Sequence, residues 1–143
     1  MELDEFIRVF SERMNLGSLE PDKEGSYTFV FDDRLFVRCF PAGKEEIVLN
    51  GTIGEIPEDE RKAEEQLRRI LKLNLARMKT QKEVLAFAPE TRELICYLKT
   101  KIKELTVDDF MDLVENFVNT FEFWTQSVKD VPTTAPDFFV LRP

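Results

Sequence analysis

Leu3, Phe6, Ile7, Phe10 and Met14 fall on one face of a 3.6-residue period, with Asp4, Glu5, Arg8, Ser11 and Glu12 mostly off it. This predicts a first amphipathic helix, closed by Asn15 and Gly17. Three runs then read as strands: Ser26 to Phe31, Leu35 to Phe40 and Glu46 to Ile53. The turns Asp32-Asp33-Arg34 and Pro41-Ala42-Gly43-Lys44 separate them, and links this short favour an antiparallel meander. Pro57-Glu58-Asp59-Glu60 opens a second helix that runs to about Thr80, with acids in its first turn and Arg77 and Lys79 in its last, both suited to the helix dipole. A hairpin of Glu83 to Phe87 and Leu94 to Leu98 follows. Thr106-Val107-Asp108-Asp109 caps a final helix striped by Phe110, Leu113, Val114, Phe117, Phe121, Trp124 and Val128. The fold class is therefore α+β: a mostly antiparallel five-stranded sheet with three helices, in the order α-β-β-β-α-β-β-α. Residues 1–128 form one domain. From Lys129 onward Pro132, Pro136 and Pro143 mark a C-terminal tail, 129–143.

Two features of this pattern exceed what a simple core needs. On the second strand Leu35, Val37 and Cys39 face one way and Phe36, Arg38 and Phe40 the other, so apolar residues lie on both faces. Either helices cover both, or part of one face is left for a partner. We select Phe36, Arg38 and Phe40, with Val9 at the margin of the first helix, as candidate partner-binding residues. An arginine between two phenylalanines is ill suited to a sealed core but can line a groove and bond an incoming backbone. On the second helix Leu67, Ile70, Leu71, Leu75 and Met78 span a wide arc, interrupted by Asn74. The arc fits either a buried helix or a twofold dimer seam, in which a lone Asn fixes register.

Composition narrows the function more than it identifies it. The 143 residues contain no histidine, which removes imidazole-based catalysis and most zinc sites. Asp32-Asp33 and Glu45-Glu46 are neighbours that point to opposite strand faces, not paired catalytic acids. Gly51-x-x-Gly54 lacks the rest of a dinucleotide loop and reads as a bulge or strand exit. Neither a catalytic site, a cofactor nor a metal is expected. Cys39 and Cys96 sit in separate apolar runs and read as buried free thiols of a reducing compartment. The acidic amino terminus and the absence of a long apolar run point to a cytoplasmic protein without membrane insertion. The net charge is −8 and disfavours nucleic acid. It is nevertheless distributed as acidic, basic, acidic: 15 acids and 6 bases in residues 1–60, 5 and 12 in 61–103, 8 and 2 in 104–143. Arg61, Arg68, Lys72 and Lys79 share a face of the second helix, as a solvated face, a complement to the acidic remainder or a phosphate track.

With this element order, the segment Phe117-Val-Asn-Thr-Phe-Glu-Phe-Trp-Thr-Gln-Ser-Val128, containing Glu-x-Trp, and the hairpin Ala88-Pro-Glu-Thr-Arg-Glu-Leu-Ile-Cys-Tyr-Leu98, the chain resembles the class I type III secretion chaperones, the Tir-chaperone family of Gram-negative bacteria. The likeness spans residues 1 to about 128, and Phe138-Phe139-Val140-Leu141 in the tail has no counterpart in it. The resemblance implies a non-enzymatic cytoplasmic homodimer that holds the amino-terminal segment of a secreted effector extended and export-competent, without ATP. A same-fold module that sequesters a transcription regulator or another chaperone is the alternative. Leu67, Ile70, Leu71, Asn74, Leu75 and Met78 are the expected dimer interface.

Overall fold

Alternating burial along the strands separates the molecule into two layers. The computed structural model describes residues 2–129, and the expected tail from residue 130 onward lies outside them. The elements are α1 (Leu3–Arg13), β1 (Tyr27–Phe31), β2 (Leu35–Ala42), β3 (Glu46–Glu55), α2 (Glu60–Arg77), β4 (Val84–Ala88), β5 (Glu93–Lys101) and α3 (Val107–Lys129). This is the predicted order, and every strand pair is antiparallel. The sheet order is β1-β2-β3-β5-β4, so the second hairpin docks by β5 and leaves β4 at the edge. That choice follows from side chains: β5 buries Leu94, Cys96 and Leu98, whereas Val84 and Phe87 of β4 remain exposed.

Local signals act where expected. Asp32 and Asp33 both take positive φ in the β1–β2 turn, the conformation that suits the twist of a hairpin. The Asp59 carboxylate accepts from the Arg61 and Lys62 amides and caps α2. Thr106 and Asp109 cap α3 reciprocally, each side chain on the other's backbone amide at 3.0 Å. Those backbone bonds hold the Asp109 carboxyl below its ordinary pKa. Strand β2 runs past the expected Phe40 because Pro41 lies beyond Tyr27, the last residue paired from β1.

The core lies on one sheet face. Phe6 and Phe10 of α1, Phe29 of β1 and Phe110 of α3 pack ring against ring, with centroids 4.9–5.7 Å apart. Helix α3 lies over β3. There Gly51 admits the Phe121 ring, which a Cβ would approach to 2.5 Å. The predicted glycine irregularity is present as a register shift between Thr52 and Gly54. Helix α2 packs beside α3: Gln66 Nε2 donates to the Val128 carbonyl at 3.4 Å, and Arg77 stacks 3.9 Å over the Phe123 ring.

Candidate functional site

The opposite sheet face is the open one. On β2 Leu35, Val37 and Cys39 are buried under the helices, whereas Phe36 is 57% exposed, Arg38 is exposed and Phe40 is half-buried. Of the two readings left by apolar residues on both faces, the structure therefore shows helices on one. Register places Val30 of β1 opposite Phe36, Thr28 and Asn50 on either side of Arg38, and Val48 of β3 opposite Phe40. Two apolar rows thus flank one polar row. Rows two residues apart are separated by about 6.6 Å.

Arg38 is held in this face by two contacts. Its guanidinium lies 5.3 Å from the centroid of the Phe40 ring, and Nη2 donates to Ser26 Oγ at 3.0 Å. Ser26 is itself fixed, because its amide and that of Glu24 donate to Asp22 Oδ1 at 2.9 Å. These bonds hold the Asp22 carboxyl below its ordinary value, with Arg38 a smaller contributor. Sequence reasoning passed over Asp22 and Ser26. The Pro21-Asp22 step before Gly25 is a turn signal that marks the place.

Beside Phe36 the sheet opens. Leu35–Val37 pair only with β1, and Gly51–Glu55 only with β5. The gap forms a cleft of about 200 Å³ with Leu35, Phe36, Gly51 and Phe121 as its apolar lining and Arg34, Arg38 and Thr125 among its polar groups.

Val9 does not join this group. It is half-buried on α1, and α1 packs on the other sheet face through Phe10 against Phe29. Its place at the edge of a helical stripe said nothing of which layer the helix occupies.

The arc on α2 resolves into two. Ile70 is buried with Ala63 and Gln66 in the chain's own core, so it leaves the expected seam. Leu71, Leu75 and Met78 are 63%, 70% and 61% exposed, and Leu67 is half-buried beside them. Asn74 is half-buried, and its Oδ1 accepts from Gln81 Nε2 at 3.4 Å. Asn74 is therefore engaged within the chain as well as lying near the stripe.

The Glu-x-Trp segment of α3 has a structural account. Glu122 pairs with Arg34 at the β1–β2 turn. Trp124 is buried, and its Nε1 donates to Gln81 Oε1 at 3.0 Å, while Gln81 Nε2 donates to the Glu83 carbonyl at 2.9 Å. The two residues tie α3 to the start of β2 and to the α2–β4 connection.

Cys39 and Cys96 lie on the inner face, and burial pushes both thiols up to about 12. Neither supplies a thiolate at neutral pH. Among the described residues no cluster of His, Cys, Asp or Glu is arranged to hold a metal ion. None of the described helices is long and apolar enough to cross a membrane.

Known proteins share both sequence and fold with this arrangement. The model of the Tir chaperone protein (CesT) family matches residues 5–125. A Chlamydia pneumoniae protein, CPj0713/CpB0740, is 28% identical over 123 residues, covering 85% of this chain and 92% of that one. The fold is similar to a chain of the ExsC–ExsE complex, with TM-score 0.71 and 21% identity over 92% of this chain and all of the other. It is also similar to a chain of the HopA1–SchA chaperone–effector complex, at 0.65 and 13% over 86% and 95%. The Yersinia pestis type III secretion chaperone SycH, solved with a fragment of YscM2, gives 0.63 and 15% over 85% and 98%. With the family model spanning α1 to α3 and the fold of secretion chaperones present throughout, the chain belongs to the Tir chaperone (CesT) family.

Proposed function

We propose that this chain is a non-enzymatic cytoplasmic class I chaperone that, as a homodimer, binds the amino-terminal segment of a type III secreted effector. The observation that carries the reading is the uncovered outer sheet face, where Phe36 and Phe40 flank the anchored Arg38. An extended client lying along β2 sets side chains four residues apart on the two apolar rows, which are about 13 Å from each other, and its carbonyls meet the Arg38 donors between them. Affinity then comes from a long wrapped segment, because ordering that segment opposes binding. The family membership and the SchA complex with HopA1 support a client of this kind.

The dimer part rests on α2. Leu71, Leu75 and Met78 are exposed side by side, with Leu67 continuing the stripe. Charges are mixed in the first half of the helix, where Arg61 pairs with Glu65 and Arg68 with Glu64, and the second half is basic through Arg69, Lys72 and Arg77. A twofold antiparallel copy sets the apolar stripe of one chain against that of the other. Asn74 lies at the margin of that seam.

Co-expression with amino-terminal fragments of effectors from the same genome, followed by light scattering on the purified complex, tests both parts. The expected mass is two chains of this protein with one fragment. A monomeric chain that retains no effector fragment would refute the reading.

A further inference from the structure

We infer that the client segment carries a side-chain carboxylate, aspartate or glutamate, midway between two apolar residues four apart, and that Arg38 selects it; this deepens the reading of the outer face as the client site and rests on it. The three rows of that face set the spacing. Val30 and Phe36 form one apolar row, Phe40 and Val48 the other, and Thr28, Arg38 and Asn50 the row between them. Successive rows lie about 6.6 Å apart, which is also the two-residue step of an extended peptide. A client whose first and fifth residues cover the apolar rows therefore sets its third over Arg38.

Arg38 is prepared for such a group. Its stack on Phe40 and the bond from Nη2 to Ser26 Oγ orient the guanidinium before a client arrives, so less side-chain freedom is lost on pairing. That bond uses one of the five N–H donors of the fork. Among the described residues no carboxylate forms an ion pair with Arg38. Asp22 senses its charge, but Asp22 Oδ1 is taken by the amides of Glu24 and Ser26.

The surrounding charge agrees. The chain carries −8 in total, yet this face is basic around Arg38. Alternation along β5 turns Lys99 and Lys101 outward with it, and the outward Glu46 of β3 is paired with Lys99 at 3.6 Å. The outward acids Glu55 and Glu93 lie opposite each other at the other end of the sheet, about 20 Å from Lys99 along β5. A client lysine in the middle position meets like charge, and an asparagine there makes its bonds without charge assistance.

Fluorescein-labelled synthetic peptides with a central Phe-Ser-X-Ser-Val, X being Asp, Asn or Lys, are the probes, titrated by anisotropy against the full-length chain. The Asp peptide is expected to bind about threefold more tightly than the Asn peptide and about tenfold more tightly than the Lys peptide, as for a partly exposed charge pair. The order should flatten in about 1 M salt. Arg38→Glu reverses it, and Arg38→Lys, which keeps the charge without the fork, keeps it at smaller ratios. Equal binding of the three peptides, an order that Arg38→Glu leaves unmoved, or no binding of any peptide overturns the inference. The order on the unaltered chain decides the question even where a variant is unstable. The Phe36→Ala, Phe40→Ala variant separates the two levels. If it loses effector amino-terminal fragments while the three peptides bind the unaltered chain equally, the carboxylate inference fails and the client face stands; if it keeps those fragments, the client face itself fails.

Discussion

Gly51 shows how one residue couples the sheet to the helix above it. A Cβ there would lie 2.5–2.9 Å from three atoms of the Phe121 ring. Gly51→Ala is therefore expected to destabilise by about 1–3 kcal/mol, the usual range for overpacking a closed core. In a Phe121→Ala background most of that penalty disappears, which denaturant melts of the four proteins of the cycle will show. The irregular strand exit was legible in Gly51-x-x-Gly54. The seat for Phe121 was not, because it depends on which strand α3 crosses. The cysteines make a second prediction at this scale. Burial raises both thiols from 9 to about 12, so between those values the folded state holds protons that the unfolded state releases. Their contribution to stability is complete below pH 9 and is lost as pH rises toward 12, at up to about 1.4 kcal/mol per pH unit for each thiol. Thermal melts from pH 8 to 11 should fall less steeply for the Cys39→Ala, Cys96→Ala variant than for the unaltered chain. Parallel falls would show that the thiols do not set the slope.

Among the elements, α2 best separates what a pattern can tell from what only a structure can. Its wide apolar arc was visible, but periodicity alone joined two arcs into one. Ile70 belongs to the chain's core, while Leu71, Leu75 and Met78 project outward. The position of α2 beside α3 makes the division, through Gln66, Arg77 and the Trp124–Gln81 bond. Element order and type were readable because the helices carry apolar stripes, α2 and α3 carry side-chain caps, and turn residues bound the strands. The docking of β5 rather than β4 against β3 was not, since it is decided by long-range burial. The division predicts the outcome of charging the stripe. Leu71→Glu with Leu75→Glu changes side chains already exposed in the single chain, so the melt of the isolated fold moves little. If the proposed seam holds, sedimentation should show a dimer for the unaltered protein and a monomer for the variant at the same concentration. A double variant that remains dimeric places the seam elsewhere.

Viewed as a whole molecule, the chain puts α1 and α3 on one face of the sheet, sets α2 beside α3 and leaves β2's outward row to solvent. The Phe-Arg-Phe alternation on β2 was legible as a candidate site because an arginine between phenylalanines fits poorly in a core. Val9 lies apart from that row, which stripe geometry could not tell because it does not report the layer, and the Asp22–Ser26–Arg38 chain of bonds was not legible because it joins a loop to a strand. The central claim is that the outer face exists for a client and not for stability. The Phe36→Ala, Phe40→Ala variant tests it directly, with a thermal melt and an effector amino-terminal fragment pull-down on the same preparation. Buried phenylalanines would each cost about 3–5 kcal/mol on truncation. For these outward-facing residues the account predicts a nearly unchanged melting temperature and loss of fragment capture. A collapsed melt, or a normal melt with normal capture, would contradict it.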